Sequence, residues 1–83
     1  MQAVAAKNAA RSPDTVLAGK VRGALHATFG AVAAEIAVTA QDGFVFLYGD
    51  VQSDSVRVKA ERIAAGVPGV RAVSNELEVA PGI

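Results

Sequence analysis

The chain has 83 residues, which is enough for one small domain with a limited hydrophobic core. Cysteine is absent, and this excludes disulfide bonds and thiolate metal sites while leaving the redox compartment open. Eight basic and eight acidic side chains cancel, so the chain lacks the clustered basic surplus of a dedicated nucleic-acid binder.

Residues 1–11 are rich in alanine and show no core-facing stripe, so we interpret them as a flexible leader or linker remnant. They lack the apolar h-region of an intact secretory signal. No part of the chain approaches the roughly 18 unbroken apolar residues of a membrane span. The charge is uneven, because residues 1–34 carry four basic side chains against one acid, whereas residues 35–83 carry four against seven.

A single domain is expected over residues 12–83, and its first predicted element is a helix. Ser12, Pro13 and Asp14 supply a capping hydroxyl, a proline at the first helical position and an acid near the positive end of the helix dipole. Gly30 ends this helix. The predicted core-facing residues recur at helical spacing: Leu17, Val21, Ala24, Leu25 and Thr28.

Two strands joined by a tight turn follow. Ile36, Val38 and Ala40 alternate with their neighbours as in a strand with one buried face. The pair Asp42-Gly43 predicts a type I′ turn, because that turn needs positive φ at both positions. The returning strand is apolar on both faces, with Val45, Leu47, Gly49 and Val51 on one and Phe44, Phe46 and Tyr48 on the other.

A second helix and a third strand complete the domain. Ser53 or Asp54 can cap the helix, and the segment 66–69, which contains two glycines and a proline, ends it. Its predicted apolar face consists of Val56, Ala60, Ile63, Ala64 and Val67. The last strand is expected over residues 70–79, with an inward set of Val73, Asn75, Leu77 and Val79.

The order αββαβ predicts an α+β sandwich, in which two helices pack on one face of a three-stranded mixed sheet. A right-handed β-α-β crossover after the hairpin places the aromatic strand between the other two. Both helices should cover the face that carries Val45, Leu47 and Val51.

This sequence resembles the BON domain, a family named after bacterial osmotic-stress and nodulation proteins. The resemblance covers about residues 12–80. It rests on the joint spacing of Ile36-x-Val38, Asp42-Gly43-x-Val45-x-Leu47-x-Gly49-x-Val51, Val67-x-Gly69-Val70 and Val73-x-Asn75-x-Leu77-x-Val79. The sequence departs from the pattern at the three aromatic positions, where relatives are more polar.

The resemblance implies a non-catalytic module of the bacterial envelope, periplasmic or membrane-associated, that binds phospholipid and serves in osmotic or envelope stress. The implied partner is an anionic phospholipid surface or another envelope protein or domain, and self-association is one form of the latter. A potassium-sensing module, as in BON domains joined to LysM modules, ranks last. The resemblance implies no cofactor.

Four residues of the matched pattern are interpreted as structural. Gly43 and Gly69 suit a turn and a helix end. Gly49 lies on an inward face, where glycine indicates close approach by a helix. Asn75 is polar on an inward face, so its amide needs partners, which we expect in a loop or at a strand end.

Small residues form a stripe on the outward side of the first helix, roughly 200° from its core-facing residues: Gly19, Gly23 and Ala27. Lys20 and Arg22 flank this stripe and His26 lies on it. The stripe could form a shallow groove with cationic walls that admits a phosphate headgroup or a second helix. The alternative is a solvated helix face without a binding role, since short motifs of this kind recur by chance.

No catalytic or metal-binding constellation is apparent. His26 is the only histidine, and no paired acid stands at metal-ligand spacing. None of the serines stands in a sequence pattern that would place a general base beside its hydroxyl. The Gly-x-x-Gly segment 66–69 joins a helix to a strand and contains no cation, unlike an RNA-clamping loop. We therefore expect no enzymatic activity, no metal and no nucleic-acid partner.

Two functional hypotheses remain. Under the first, the basic groove meets anionic lipid, with Arg57, Lys59 or Arg62 nearby. Under the second, the aromatic face is a protein interface, because three rings of roughly 150–250 Å² each form a patch large enough to mark an interaction site. This aromatic ridge consists of Phe44, Phe46 and Tyr48.

Overall fold

The computed structural model describes residues 13–80, so the predicted leader at 1–11 and the capping Ser12 lie outside the described residues. The described chain forms two α-helices and a three-stranded mixed sheet in the order αββαβ, which confirms the predicted α+β class. The elements are helix α1 (Pro13–Phe29), strands β1 (Ile36–Gln41) and β2 (Phe44–Val51), helix α2 (Asp54–Ala65) and strand β3 (Ala72–Val79).

The aromatic strand β2 occupies the centre of the sheet, as predicted. It pairs antiparallel with β1, where Gln41 lies opposite Phe44 and Ile36 lies opposite Gly49. It pairs in parallel with β3, where Phe44 lies opposite Ala72. Helix α2 provides the crossover that parallel neighbours require.

The core lies between the two helices and one face of the sheet. Val45 and Leu47 of β2 are fully buried there, together with Val21 and Leu25 of α1. Helix α1 packs over β1, whereas α2 packs over β3 and β2. The prediction that both helices cover the Val45 and Leu47 face is confirmed.

The buried face of α1 differs slightly from the predicted one. Thr28 was expected in the core but is exposed, and Ala18 is buried instead. The buried stripe of α1 therefore includes Ala18 beside Leu17, Val21 and Leu25, and it does not reach Thr28. A short 3-10 helix over Gly30–Glu35, which the alanine-rich sequence did not predict, then leads into β1.

The hairpin turn has the predicted geometry. Asp42 and Gly43 have φ values of 52° and 86°, which are both positive as a type I′ turn requires. The amide of Asp42 donates to Asp14 Oδ1 at 2.8 Å, and the amide of Arg71 donates to the Gly43 carbonyl at 2.7 Å. The turn is therefore tied both to the start of α1 and to the residue before β3.

Helix α2 begins and ends as its sequence predicts. Ser53, rather than Asp54, is the cap, and its Oγ accepts a hydrogen bond from the Val56 amide at 3.3 Å. Gly66 closes the helix by donating to the last carbonyls. The final strand begins at Ala72 instead of residue 70, because residues 66–71 are used to leave the helix and reach the sheet.

Candidate binding surfaces

Asn75 joins strand β3 to helix α2. Its Nδ2 donates to the Arg57 carbonyl at 3.0 Å and to Glu61 Oε1 at 3.1 Å, while its Oδ1 accepts from the Leu77 amide at 3.1 Å. The partners on α2 are helical rather than in a loop or at a strand end, where they were expected. The amide is thus occupied by the fold itself.

Glycine is required at position 49 by the backbone conformation and by a nearby backbone atom, and not by the packing of an α-helix. Its φ is 134°, and a Cβ at this position would collide with the Glu35 carbonyl oxygen, where the chain enters β1. The close approach that the sequence indicated therefore comes from the last residue of the 3-10 helix and not from a packed α-helix. Gly69 also has a positive φ, of 101°, as a residue that follows a helix often has.

The two helices present one outward surface, called the helical face here. Its members are Val16, Gly19, Lys20, Gly23, His26, Ala27, Ser55, Val58, Lys59 and Arg62, and all of them are exposed. The predicted small-residue stripe of α1 lies open in it, because a Cβ at Gly19 or Gly23 would meet no atom within 4 Å.

The two cations of α1 lie on different sides of the small-residue stripe. Lys20 is exposed beside a cleft of about 680 Å³ that the hairpin turn and the start of α1 also line. Arg22 was expected to project away from the core, but its Nη1 donates to the Val38 carbonyl of β1 at 3.3 Å. Arg22 is therefore partly engaged with the sheet, since its position on the helix lies nearer to β1.

Helix α2 also carries one engaged cation and two free ones. Arg57 forms an ion pair with Asp54, with its Nη2 2.7 Å from Oδ1. Lys59 and Arg62 are exposed around Val58, and within residues 13–80 neither forms an ion pair. The free positive charge of α2 is thus on the outward side of the helix.

The acids of the two helices are engaged in hydrogen bonds. Asp14 accepts from the Asp42 amide, Asp54 accepts from the Arg57 guanidinium, and Glu61 accepts from the Asn75 amide. Asp54 also lines the hollow around Val58, and Asp14 lines the cleft beside Lys20. Within residues 13–80 the only ion pair that these acids form is that of Asp54 with Arg57, so the three cations Lys20, Lys59 and Arg62 of the helical face are not paired with them.

The opposite surface, called the sheet face here, is the outer side of the three strands. Phe44 and Tyr48 are 43% and 45% exposed, and Phe46 between them is half-buried. No helix of residues 13–80 covers these rings, since both helices lie on the other side. Their cross-strand neighbours are mostly small: Ala37 and Thr39 on β1, and Ala72 and Ser74 on β3.

The two ends of the aromatic ridge have opposite charge. At one end the Arg71 guanidinium lies 5.4 Å from the centroid of the Phe44 ring, within the range of a cation–π contact. At the other end Asp50, Glu76 and Glu78 lie side by side, because the register places Tyr48 opposite Glu76 and Asp50 opposite Glu78. The sheet face is therefore aromatic in its middle and acidic at one end.

Sequence reasoning missed this acidic end. Asp50 stands far from Glu76 and Glu78 along the chain, and only the parallel register brings the three together. The alternation of side chains along β2 and β3 was the signal that could have found them, had the register been assigned.

Two further observations concern chemistry and membranes. Within residues 13–80 no three His, Cys, Asp or Glu side chains are grouped so that they could hold a metal ion. In the same range, neither helix combines the length and the hydropathy that crossing a bilayer requires.

The described residues form a small α+β domain with a cationic helical face and an aromatic sheet face that is acidic at one end. A family model described as the BON domain matches residues 13–81 of the chain, which is nearly all of it. The chain belongs to the BON domain family, a family of non-catalytic binding modules. A comparison with curated proteins finds no match.

Proposed function

We propose that this chain is a non-catalytic module of the bacterial cell envelope that binds anionic phospholipid through its helical face. The BON family is known for membrane or phospholipid binding, and this supports the class of ligand. The charge distribution of the chain supports the choice of surface.

One observation carries the proposal. Lys20, Lys59 and Arg62 project from the helical face, and within residues 13–80 none of them forms an ion pair. The carboxylates of Asp14, Asp54 and Glu61 on the two helices accept hydrogen bonds from other groups of the domain. The sheet face carries acids instead, so an anionic surface attracts one side of the domain and repels the other.

The expected affinity is modest. A cation near an anionic membrane surface contributes about 1 kcal/mol, so three cations contribute about 3 kcal/mol together. Exposed Val16 and Val58 add apolar contact at the same surface. Such binding weakens as salt rises, because attraction between exposed charges is screened within about 10 Å at 0.1 M salt.

Co-sedimentation with vesicles of phosphatidylglycerol and phosphatidylcholine tests the proposal. The double variant Lys20→Glu, Arg62→Glu should lose binding and keep its fold, because both side chains are exposed and make no ion pair within the described residues. Arg22 is unsuitable for this test, since reversing its charge also removes the contact with the Val38 carbonyl.

The matched control is Lys7→Glu, Arg11→Glu, which changes the net charge by the same amount and leaves every named residue of the helical face as it is. This control should bind nearly as well as the wild type. Equal losses in both variants would mean that only net charge matters, and salt-independent binding would contradict an electrostatic contact.

A protein-interaction module is the second candidate function. The exposed Phe44 and Tyr48 rings favour it, because contiguous exposed apolar surface on a small domain often marks a contact site. The acids at one end of the sheet face would repel an anionic membrane, so this surface suits a protein partner better than a lipid surface.

A further inference from the structure

The sheet face needs an occupant that is both apolar and basic. Its ridge exposes Phe44 and Tyr48, and its far end carries the acids Asp50, Glu76 and Glu78. The strands themselves contribute no basic side chain to this face. The helical face of the same domain has the complementary composition, with exposed valines and three cations.

We propose that the sheet face of one molecule binds the helical face of a second copy, so that molecules associate head to tail. This inference goes beyond the proposed function and does not depend on lipid binding.

The two surfaces match in length. The ridge from Phe44 to Tyr48 covers four residue steps of strand, or ~13 Å at a rise of about 3.3 Å per step. The small-residue stripe from Gly19 to Ala27 covers eight residue steps of helix, or ~12 Å at about 1.5 Å per step. Because a Cβ at Gly19 or Gly23 would meet nothing within 4 Å, a ring of the second copy has room to lie there.

Charge selects this pairing over the two symmetric ones. Each sheet face carries three acids at one end and only Arg71 at the other, so two sheet faces in contact would keep a net repulsion in either orientation. Two helical faces in contact would bring two sets of cations together. Like charges placed opposite each other are unfavourable at an interface. The pairing of a helical face with a sheet face instead brings Lys20, Lys59 and Arg62 toward the acids of the second copy.

The geometry also fixes the kind of assembly. The two surfaces lie on opposite sides of the domain, so each contact leaves one free surface on each molecule. A contact of this heterologous kind extends into an open chain unless it closes into a ring. The ridge offers only a few hundred Å², well below the roughly 800 Å² per partner of a stable interface, so each contact is weak.

Two variants that each lack one surface test the proposal. Phe46→Ser with Tyr48→Ser, called the ridge-less variant here, removes two of the three rings of the ridge and keeps the helical face. Gly23→Gln fills the stripe and keeps the ridge, and it should fold well because the position is open and glutamine is a good helix former. Thr28→Gln, at an exposed position of α1 on the side away from the small-residue stripe, is the matched control.

Sedimentation velocity from micromolar to millimolar protein should show association of the wild type and of the Thr28→Gln control. Neither single-surface variant should associate alone. An equimolar mixture of the two should form a heterodimer and stop there, because the dimer retains no second complementary pair.

Fluorescence gives an independent readout. Tyr48 is the only tyrosine and tryptophan is absent, so emission from the Gly23→Gln variant reports on the ridge alone. The ridge-less variant has no tyrosine of its own. Adding it to the Gly23→Gln variant should change the tyrosine emission, and this change should be smaller at high salt.

Three results would overturn the proposal. Self-association of the Gly23→Gln variant alone would indicate contact between sheet faces. Self-association of the ridge-less variant alone would indicate contact between helical faces. A wild type that stays monomeric at millimolar concentration would mean that no second copy occupies the ridge.

Discussion

The two faces of strand β2 both carry apolar side chains, but they differ in burial. On the inner face, Val45 and Leu47 are fully buried beneath the helices. On the outer face, Phe44 and Tyr48 keep more than two fifths of their surface exposed. Apolar character alone therefore does not place a side chain in the core. The position of the helices decides it.

This difference separates stability from binding. The inner face contributes hydrophobic free energy to folding, roughly 1.5–3 kcal/mol for each fully buried valine or leucine. The outer face retains part of its hydrophobic free energy for a contact with another surface. Changes on the inner face should therefore alter the stability of the monomer, whereas changes on the outer face should alter association.

The largest expected effect comes from the same substitution on the two faces. Val45→Asp should unfold the domain, because an unpaired buried charge costs several kcal/mol out of a total stability of about 5–15 kcal/mol. Phe44→Asp should leave it folded, at a cost of about 1 kcal/mol or less. Urea unfolding measures both, and a folded Val45→Asp variant would show that the inner face is assigned wrongly.

Gly49→Ala should produce the next largest loss of stability. The φ of 134° disfavours any side chain, and the new Cβ would collide with the Glu35 carbonyl oxygen. Backbone strain and overpacking each cost on the order of 1–3 kcal/mol. Thermal unfolding should show a clearly lowered melting temperature, and an unchanged one would exclude the close approach of Glu35.

Asn75→Ala should destabilise the domain by about 1–3 kcal/mol, because the Leu77 amide and the Arg57 carbonyl lose a partner on the inner side. Ser74→Ala, one residue away on the outer side, is the control. Ser74 makes only an exposed hydrogen bond to Glu76. Similar losses of unfolding free energy in the two variants would contradict a special role for Asn75.

The smallest effect should have the opposite sign. Gly19→Ala and Gly23→Ala should each stabilise the domain by up to about 1 kcal/mol, because alanine is the better helix former and both positions are open. Urea titration would measure the gain. A loss of stability at either position would show that the outward side of α1 is more crowded than the structure indicates.

The sequence was sufficient to predict most of the fold. The Ser53 cap, the Asp42-Gly43 turn and the alternation along β2 are local signals, and each produced the expected element. The 3-10 helix at Gly30–Glu35 and the burial of Ala18 were not predicted. Alanine has no strong preference between core and surface, so an alanine-rich segment gives little periodicity to interpret.

The candidate surfaces were predicted only in part. The position of the aromatic ridge follows from strand alternation, and the stripe from Gly19 to Ala27 follows from helical spacing. The prediction that Arg22 projects away from the core was wrong, because its hydrogen bond to the Val38 carbonyl depends on how α1 packs on β1. The acidic end of the sheet face depends on register between strands that are distant along the chain, which no local pattern reveals.

The position of β2 between a near and a distant neighbour has a kinetic consequence. Its antiparallel pairing with β1 closes over a two-residue turn, and hairpins of this kind form in about 1–10 μs. Its parallel pairing with β3 must wait for the α2 crossover, since contacts between distant segments form more slowly.

During that interval β2 exposes an unpaired edge together with apolar side chains on both faces, a combination that favours aggregation. The arrival of β3 covers this edge with a strand that carries Glu76 and Glu78. Substitutions that slow the docking of α2 and β3 should therefore lower the refolding yield. The loss should exceed that caused by substitutions in the hairpin that lower the free energy of unfolding by the same amount.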